Sequence, residues 1–363
     1  MIAVFLGDVG DGLAAGIKTI SGCRVQVDCG SQQNIPDALK CALLHISPEV
    51  FILSHFHSDH YSGLYAIQLT QPRLLQIKEV LLPRFPTFPE RDKFLRCLFA
   101  MNLRILGNTT GSMPMDLFDL IRRVNATPFR YKFLSKGDVF DARGSKFTVL
   151  WPPTNIDAKS TLKVIRKGIQ DFDEAMEKDD KLKKIYDILN KSNKINPYLS
   201  GEPGEIESCV NDGPFERLPE KFAPEELSPI VKRANDSLRK AANHLSLAFH
   251  KDNRFLFFGD IESSEIAQVM KALEKTKMLD FQVMITPHHG THWHQSMKKL
   301  SCCYALSSVG KRLFRKLKPE YKEIAKECRV TYLNGCLCIR TAKPFCCLYR
   351  TGCIEFLHDQ ATT

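Results

Sequence analysis

Three histidines and one aspartate lie within six positions, directly after an apolar segment of the chain. Residues 50–53 predict a buried strand, and His55, His57, Asp59 and His60 follow it. An extended chain directs alternate side chains to one side, so the first two imidazoles leave the strand on the same face. Imidazole nitrogen and carboxylate oxygen are ligands that zinc, manganese and iron accept. Because unpaired buried polar groups are costly, this segment favours a fold that places a metal site where a strand ends.

Two later segments repeat the arrangement of an apolar strand followed by potential ligands. Residues 254–258 lead into Asp260, and residues 281–285 lead into a pair of adjacent histidines, His288 and His289. An aspartate after a strand is a weak signal alone, because Asp is a common turn residue. A metal site needs ligands that converge from separate loops on one edge of a sheet. Three strand ends that carry ligands meet that need.

The number and type of these ligands indicate two metal ions. His55 and His57 would hold the first ion. Asp59 and His60 would hold the second, and Asp260 could bridge both because a carboxylate has two oxygens. One of the two adjacent histidines would complete the second site. We expect Zn²⁺, with Mn²⁺ or Fe²⁺ as alternatives.

Such a pair of ions predicts a hydrolase. Two metal ions about 3.5–4 Å apart would polarise a phosphoryl or acyl group and lower the pKa of a bridging water towards neutrality. The bridging hydroxide would be the nucleophile, so no serine or cysteine nucleophile is needed. Asp59 would be a catalytic residue as well as a ligand, and the histidine of the adjacent pair that does not bind metal could contact substrate or pass a proton.

Positive charge is concentrated in one part of the sequence. The formal net charge is +10, and residues 298–343 contain twelve Lys and Arg against three Glu. This segment follows the adjacent histidines, so we expect part of it to flank the metals. Lys311, Arg312 and Lys318 are candidate contacts for backbone phosphates. A solubilising helix face is the alternative interpretation.

The cysteines and the apolar segments predict the compartment. The chain has thirteen cysteines, an odd number, and residues 1–6 are too short an apolar stretch to predict a secretory leader. No apolar run is long enough to cross a bilayer. We therefore expect a soluble, cytoplasmic protein in a reducing environment, with no membrane partner.

A change of composition predicts the domain organisation. Lys, Asp and Glu become frequent between residues 155 and 242, with helical spacing of apolar residues over 160–192. We interpret residues 155–242 as a helical insertion in a single catalytic domain formed by residues 1–154 and 243–363. The charges of the insertion are expected on a solvated face, and it could also bind a protein partner.

Several local predictions concern the two ends of the chain. Residues 2–6 and 23–27 predict the strands of a hairpin with a glycine-rich connection. A helix is predicted over residues 319–327, and short strands over 328–357. Asp28, directly after the second predicted strand, would either cap a helix or hold the ligand loop from behind the metals.

The combined motifs resemble the signature of the metallo-β-lactamase fold superfamily. They are His55-x-His57-x-Asp59-His60, Gly259-Asp260 and His288-His289-Gly290. Further segments are similar to the soluble hydrolase domain of bacterial competence (DNA-uptake) channel proteins: Asp8-Val9-Gly10-Asp11-Gly12, Val27-Asp28-Cys29-Gly30, Val149-Leu150-Trp151-Pro152-Pro153, Asn243 with Ser246, and Ser307-Ser308-Val309-Gly310.

The resemblance implies an α/β fold, an αββα sandwich of two central sheets flanked by helices, with metals at the strand ends. It implies hydrolase activity and, in the competence proteins, a nuclease role on single-stranded DNA. It also favours His289 as the metal ligand, with His288 as a catalytic residue that faces substrate.

The sequence departs from the family pattern at two places. Many members supply a further histidine to the first metal, but no histidine lies between His60 and His244. We therefore expect weak binding of the first metal, through His55, His57, Asp260 and water. Lys318 stands where competence proteins tend to have a histidine, and it could bind phosphate as a point charge.

Three hypotheses remain open from the sequence. The first is a dinuclear metal-dependent hydrolase of a phosphodiester, a nuclease acting on single-stranded DNA or RNA. The second is a hydrolase of a small phosphoester, ester or lactone. The third is a catalytically weak scaffold that binds nucleic acid or a protein partner.

Overall fold

The computed structural model of the chain describes residues 2–33, 35–70, 73–105, 117–207 and 227–341. Fifteen strands are present among them. In chain order they are β1 (Ile2–Leu6), β2 (Gly12–Lys18), β3 (Arg24–Ser31), β4 (Val50–Ile52), β5 (Glu79–Pro83), β6 (Phe129–Leu134), β7 (Val139–Asp141), β8 (Lys146–Trp151), β9 (Gly204–Ile206), β10 (Ala248–Lys251), β11 (Phe255–Phe257), β12 (Asp280–Ile285), β13 (Ser301–Ser307), β14 (Ala325–Val330) and β15 (Leu337–Thr341).

Twelve α-helices accompany the strands in the described residues. They are α1 (Pro36–Ile46), α2 (Ser62–Thr70), α3 (Arg91–Ile105), α4 (Leu117–Val124), α5 (Lys159–Met176), α6 (Asp180–Lys191), α7 (Asn196–Ser200), α8 (Pro229–Asn243), α9 (Ser263–Lys275), α10 (Lys311–Phe314), α11 (Tyr321–Ile324) and α12 (Thr331–Asn334). Among the described residues, none of these helices has the length and apolar composition that crossing a bilayer requires.

The strands form two sheets. In each sheet some strands are parallel, and the carboxyl ends of these strands lie at the candidate metal centre described below. The first sheet has the order β15-β1-β2-β3-β4-β5-β6-β9, and the second has the order β14-β13-β12-β11-β10-β8-β7. β3 to β6 are parallel in the first sheet, and β11 to β14 are parallel in the second. In open parallel sheets, ligands bind beyond the carboxyl ends of the strands.

The two sheets pack face to face with helices on both outer sides. Val27 and Ile52 of the first sheet share one buried cluster with Phe249 and Phe257 of the second. The alternate residue of β4, Phe51, instead joins a cluster with helices α1 to α6 and α8. Helices α9 and α11 cover the outer face of the second sheet. The fold is therefore the predicted αββα sandwich, and the fold class is confirmed.

The prediction of a hairpin over the first thirty residues is wrong. β1 pairs with β2 and β15, and β2 pairs with β3, all antiparallel. The strand that was not predicted is β2. It contains Gly12 and Gly16, and glycine has a low intrinsic preference for strands. A Cβ at Gly12 would overlap the carbonyl oxygen of Gly30, so the glycine permits close packing of two strands.

The helix predicted over residues 319–327 is shorter than expected. α11 ends at Ile324, and β14 begins at once and pairs in parallel with β13. Ladder hydrogen bonds to a buried neighbour outweigh the helical pattern of this short segment. Of the strands predicted over residues 328–357, β15 is present, residues Thr331–Asn334 form helix α12 instead, and residues 342–357 lie outside the described part of the chain.

Residues 155–242 form most of one side of the helical layer. The helical run expected over 160–192 is two helices, α5 and α6, and the Asp179 side chain caps α6 by accepting a hydrogen bond from the Leu182 amide at 2.8 Å. The apolar faces of α5, α6 and α8 join the cluster that covers the first sheet. β9 also extends that sheet by pairing with β6. The division of the chain into a catalytic domain and an insertion stays a prediction.

Candidate metal centre

The loop after β4 carries its polar side chains into the interior. A single 3₁₀ turn spans Ser58–His60, and backbone hydrogen bonds join His57 N to His55 O at 2.9 Å and His60 N to His57 O at 3.0 Å. All four predicted ligands of this loop are buried, with at most 4% of each exposed. The compact turn places Asp59 and His60 beside the two histidines that precede it.

Asp28 holds this loop from behind. Its side chain accepts hydrogen bonds from the Ser54 amide at 2.6 Å and the Ser54 hydroxyl at 2.5 Å. Its Oδ2 also lies 2.7 Å from His60 Nδ1. Of the two roles considered for Asp28, the geometry supports the carboxylate that orients a ligand and leaves Nε2 of His60 available for a metal.

We expect the substitution Asp28→Asn to weaken metal binding about 10–100-fold, as changes to groups that orient ligands do. The asparagine amide would direct an N–H towards a group that now hydrogen-bonds to the carboxylate: the Ser54 amide, the Ser54 hydroxyl or His60 Nδ1. Asparagine tolerates the positive φ of 53° at this position, so backbone strain does not contribute. Competition with a chromogenic chelator measures the affinity, and an unchanged dissociation constant would contradict the assigned role.

Asp260 brings the separate loops together. Its Oδ2 lies 3.4 Å from His60 Nε2 and 3.3 Å from His289 Nε2. Two ligands bound to one tetrahedral zinc at about 2.1 Å are themselves about 3.4 Å apart. His55, His60 and Asp260 also offer ligand atoms within 4.8 Å of one another. The three strand ends therefore lie close together, and the role of their residues as metal ligands stays a prediction.

The histidine nitrogens show that the residues present fit a metal. Nε2 of His57, His60 and His289 is buried, and none of the three makes a hydrogen bond in the described structure. Buried unpaired polar atoms are costly, and here they surround carboxylate oxygens at ligand spacing. Imidazole and carboxylate donors of this kind suit divalent zinc, manganese or iron.

The geometry around the first predicted ion differs from the expected pairing of His55 with His57. The rings of His55 and His57 are 6.1 Å apart, whereas His55 and His60 are 4.0 Å apart between centroids. His57 contacts Asp59 through Nδ1. The other oxygen of Asp59 accepts from Gln32 Nε2 at 2.7 Å. The distribution of the ligands between two ions, and the weak binding of the first, stay predictions.

Burial and charge set the protonation of the centre. Burial holds the pKa of His55 and of His57 well below the ordinary histidine value. Burial acts in the same direction on His60, but the carboxylates of Asp28 and Asp260 outweigh it and raise its pKa to about 9. Metal binding would therefore displace a proton from His60, whereas His55 and His57 are already neutral at pH 7.

The adjacent histidines occupy a left-handed turn. His288, His289 and Gly290 have φ values of 47°, 61° and 85°, and the His288 amide donates to Gly259 O at 2.9 Å. Non-glycine residues in this region are often held there for function. His289 is buried with its Nε2 towards Asp260, whereas His288 is more exposed and has its Nε2 4.0 Å from the same carboxylate.

Two polar neighbours of His288, His292 and Glu262, were not predicted from the sequence. His292 stacks on His288 with ring centroids 4.1 Å apart, and its Nε2 lies 2.9 Å from Glu262 Oε2. Burial disfavours ionised Glu262, but the histidines His292 and His288 outweigh it and lower its pKa to about 2. The concentration of histidines after residue 287 is the signal that could have found His292. Glu262 has no comparable signal.

Arg239 of α8 also reaches the centre. Its Nη2 lies 3.1 Å from Asp59 Oδ2, and its side chain is 23% exposed. The charges of this segment were expected on a solvated face, because helical spacing alone does not show which charged side chain turns inwards.

The three predicted phosphate contacts lie in different surroundings. Arg312 pairs with Asp11 at 3.2 Å and hydrogen-bonds to Gln32, whereas Lys311 is exposed at the start of α10. Lys318 lies beside the centre, because its amide donates to Gly290 O at 3.0 Å. It lines an open cleft of about 690 Å³ together with other residues: His288, Thr291, His292, Leu313, Arg315, Lys316, Leu317, Pro319 and Glu320.

No protein-family model matches the chain, and no curated protein matches it at a significant level. Solved structures that are similar to it include metallo-β-lactamase fold proteins. MEM-A1, a subclass B3 metallo-β-lactamase from a soil metagenome library, is 17% identical over 40% of this chain and 48% of its own, with a TM-score of 0.23. YhfI of Bacillus subtilis, a metallo-β-lactamase fold protein, is 14% identical over 41% and 52%, with a TM-score of 0.24.

A diphosphatase from the PhnP family is 10% identical over 94% of this chain and 98% of its own, with a TM-score of 0.40. The chain spans about half the length of the first two proteins, 48% and 52%. Because every TM-score is below 0.5, the fold assignment rests on the four layers described above. The resemblance to competence channel proteins stays a prediction.

Proposed function

We propose that the chain is a metal-dependent hydrolase of phosphodiesters, and that its substrate is single-stranded DNA or RNA. The observation that supports this most directly is the position of a cationic cleft beside the buried centre. His288 belongs to both, since it lines the cleft and has its Nε2 4.0 Å from Asp260. A substrate phosphate at the centre would therefore have neighbouring phosphates within reach of the cleft.

The charges of the cleft favour a polyanion over a neutral ester or lactone. Among the described residues, Arg315, Lys316 and Lys318 have no carboxylate within ion-pair distance, and Glu320 is the acidic member of the lining. Other cations of the same part of the chain are paired, as Lys298 is with Glu323 at 3.3 Å. Unpaired cations in a concave surface attract phosphate groups.

The chain supplies binding and orientation, and two divalent ions bound here would polarise a phosphoryl group and activate water. Asp260 and Asp59 provide the negative charge that holds cations. Asp28 keeps His60 in the orientation that leaves Nε2 available. His288, at the junction of centre and cleft, would contact the substrate or pass a proton. Zn²⁺ is the ion we favour, with Mn²⁺ and Fe²⁺ as alternatives.

The test is an assay of the metal-loaded protein on single-stranded DNA, RNA, duplex DNA, a small phosphoester and a lactone. Cleavage of the single strands, lost in Asp59→Ala, is the expected result. Cleavage that is equal in wild type and Asp59→Ala would mean a contaminant or a different site. Turnover of the lactone without any cleavage of nucleic acid would replace this proposal with the small-ester hydrolase.

Salt dependence tests the cleft in the same preparation. Each phosphate contact contributes about 0.7 to the slope of log affinity against log salt for a single strand. The slope is negative, and removing two contacts with Lys316→Ala and Lys318→Ala should therefore reduce its magnitude by about 1.4. The matched control replaces Lys298 and Lys299, which pair with Glu323 and Glu274. Equal slopes in the two double variants would remove the cleft from the binding surface.

A further inference from the structure

We propose that Arg239 of helix α8 is a phosphate-binding residue of the centre. This inference rests on the proposed phosphodiester function, because it assigns a ligand to the same site. It begins from the contact between Arg239 Nη2 and Asp59 Oδ2 at 3.1 Å. Asp59 lies next to His60, so the guanidinium lies at the edge of the predicted metal ligands.

The guanidinium has donors to spare. Arginine carries five N–H donors in a planar fork that matches two phosphate oxygens at once. Among the described residues, the contact with Asp59 is its one ion pair. The side chain is 23% exposed, so it is not completely enclosed by the protein. A single salt bridge to Asp59 would need only one of these donors.

Helix α8 is fixed firmly enough to aim this side chain. Leu238, beside Arg239 in the chain, is fully buried against α5. A Cβ at Gly168 of α5 would lie 3.3 Å from the Leu238 side chain, so only a small residue there allows this approach. The Ser237 hydroxyl donates to Asp171 at 2.6 Å. These contacts set the rotation of α8 and therefore the direction in which Arg239 points.

A second arginine of the same helix shows the ordinary surface arrangement. Arg233 is 52% exposed and pairs with Glu174 and Asp171 on the neighbouring helix. Arg239 instead points at the buried centre. The two residues lie six positions apart on one helix and differ in what they face, which makes Arg233 a matched control.

The direction of approach has a consequence for the substrate. Arg239 comes from the helical layer over the first sheet, whereas Arg315, Lys316 and Lys318 follow β13 of the second sheet. Cations from both layers would thus bind one phosphate at the centre and its neighbours in the cleft. Donors aimed at the reacting phosphoryl group stabilise the charge that develops on its oxygens.

The test measures binding of inorganic phosphate to the metal-loaded protein by isothermal titration calorimetry, with metal content determined by elemental analysis. For Arg239→Met we expect the dissociation constant for phosphate to rise at least about 10-fold, as loss of a charge-assisted hydrogen bond of about 1.4 kcal/mol or more implies. Metal content should stay equal to that of wild type. Arg239→Lys should bind phosphate with intermediate affinity, and Arg233→Met should match wild type.

Two results would overturn the inference. If Arg239→Met binds phosphate as tightly as wild type, the guanidinium serves no anion. If phosphate binding and metal content fall together, the role of Arg239 is to hold Asp59 in place. Cleavage of nucleic acid by wild type separates the two proposals: its presence with an unaffected Arg239→Met overturns this inference alone, and its absence together with absent phosphate binding overturns both.

Discussion

The substitution Asp260→Asn should abolish the proposed metal binding and the proposed hydrolytic activity together. Changes to groups that merely orient ligands cost about 10–100-fold, so loss of a shared ligand should cost about 1,000-fold or more in activity. Asp260 contacts histidines from both of the other strand ends. Its Oδ2 lies 3.4 Å from His60 Nε2 and 3.3 Å from His289 Nε2. Elemental analysis after dialysis against Zn²⁺ and a rate assay at the same pH measure the two effects.

Asp280→Asn is the matched control for that experiment. Asp280 lies at the start of β12, in the same sheet, and it is exposed. The control should keep full metal content and activity. Retention of metal by Asp260→Asn, with circular dichroism like that of wild type, would show that the centre does not depend on a shared carboxylate.

The substitution Gly30→Ala should damage the centre without touching a ligand side chain. A Cβ at Gly30 would overlap the carbonyl of Asp59 and lie 2.6 Å from the amide nitrogen of His60. Both atoms belong to the backbone of the ligand loop, which would have to move. Overpacking of an interior costs about 1–3 kcal/mol, and we expect a loss of about 3 kcal/mol in the free energy of unfolding. Metal affinity should fall as well, because the ligands move with the loop.

Gly22→Ala separates crowding from backbone strain. Gly22 has a φ of 79° and open space around it, whereas Gly30 does not have a positive φ. Alanine at Gly22 should cost about 1 kcal/mol through its left-handed backbone alone, with unchanged metal affinity. Urea unfolding and a chelator titration compare the two variants. A Gly30→Ala protein as stable as wild type would refute the close packing of β3 against the ligand loop.

The positions of the candidate ligands were predictable because their signal is local. His55 and Asp260 each follow an apolar strand, and strand ends meet at one edge when strands run parallel. Nothing beyond the immediate neighbourhood in the sequence was needed to expect them. The αββα layers followed from the resemblance that these motifs carry, and the structure confirms that architecture through its three buried clusters.

The features that escaped prediction depend on distant contacts. β2 was not predicted because Gly12 and Gly16 are poor strand formers; the close approach of β3 explains Gly12, and that of Ile46 of α1 explains Gly16. Arg312 is neutralised by Asp11, which lies 301 positions earlier in the chain. Arg239 meets Asp59 across 180 positions. The sequence shows how many charged residues a segment has but not which of them are paired. The number of cations was therefore predictable, and the position of the unpaired cations on the surface was not.

The edge of the first sheet has a consequence for folding during synthesis. β1 pairs on one side with β2 and on the other with β15, where Ile2 and Thr341 exchange hydrogen bonds through the threonine hydroxyl. β2 leaves the ribosome soon after β1, but β15 follows more than three hundred residues later. Until then one edge of β1 has unpaired N–H and C=O groups, and such edges recruit other chains. We expect nascent chains that stop before residue 337 to be bound by chaperones or to aggregate.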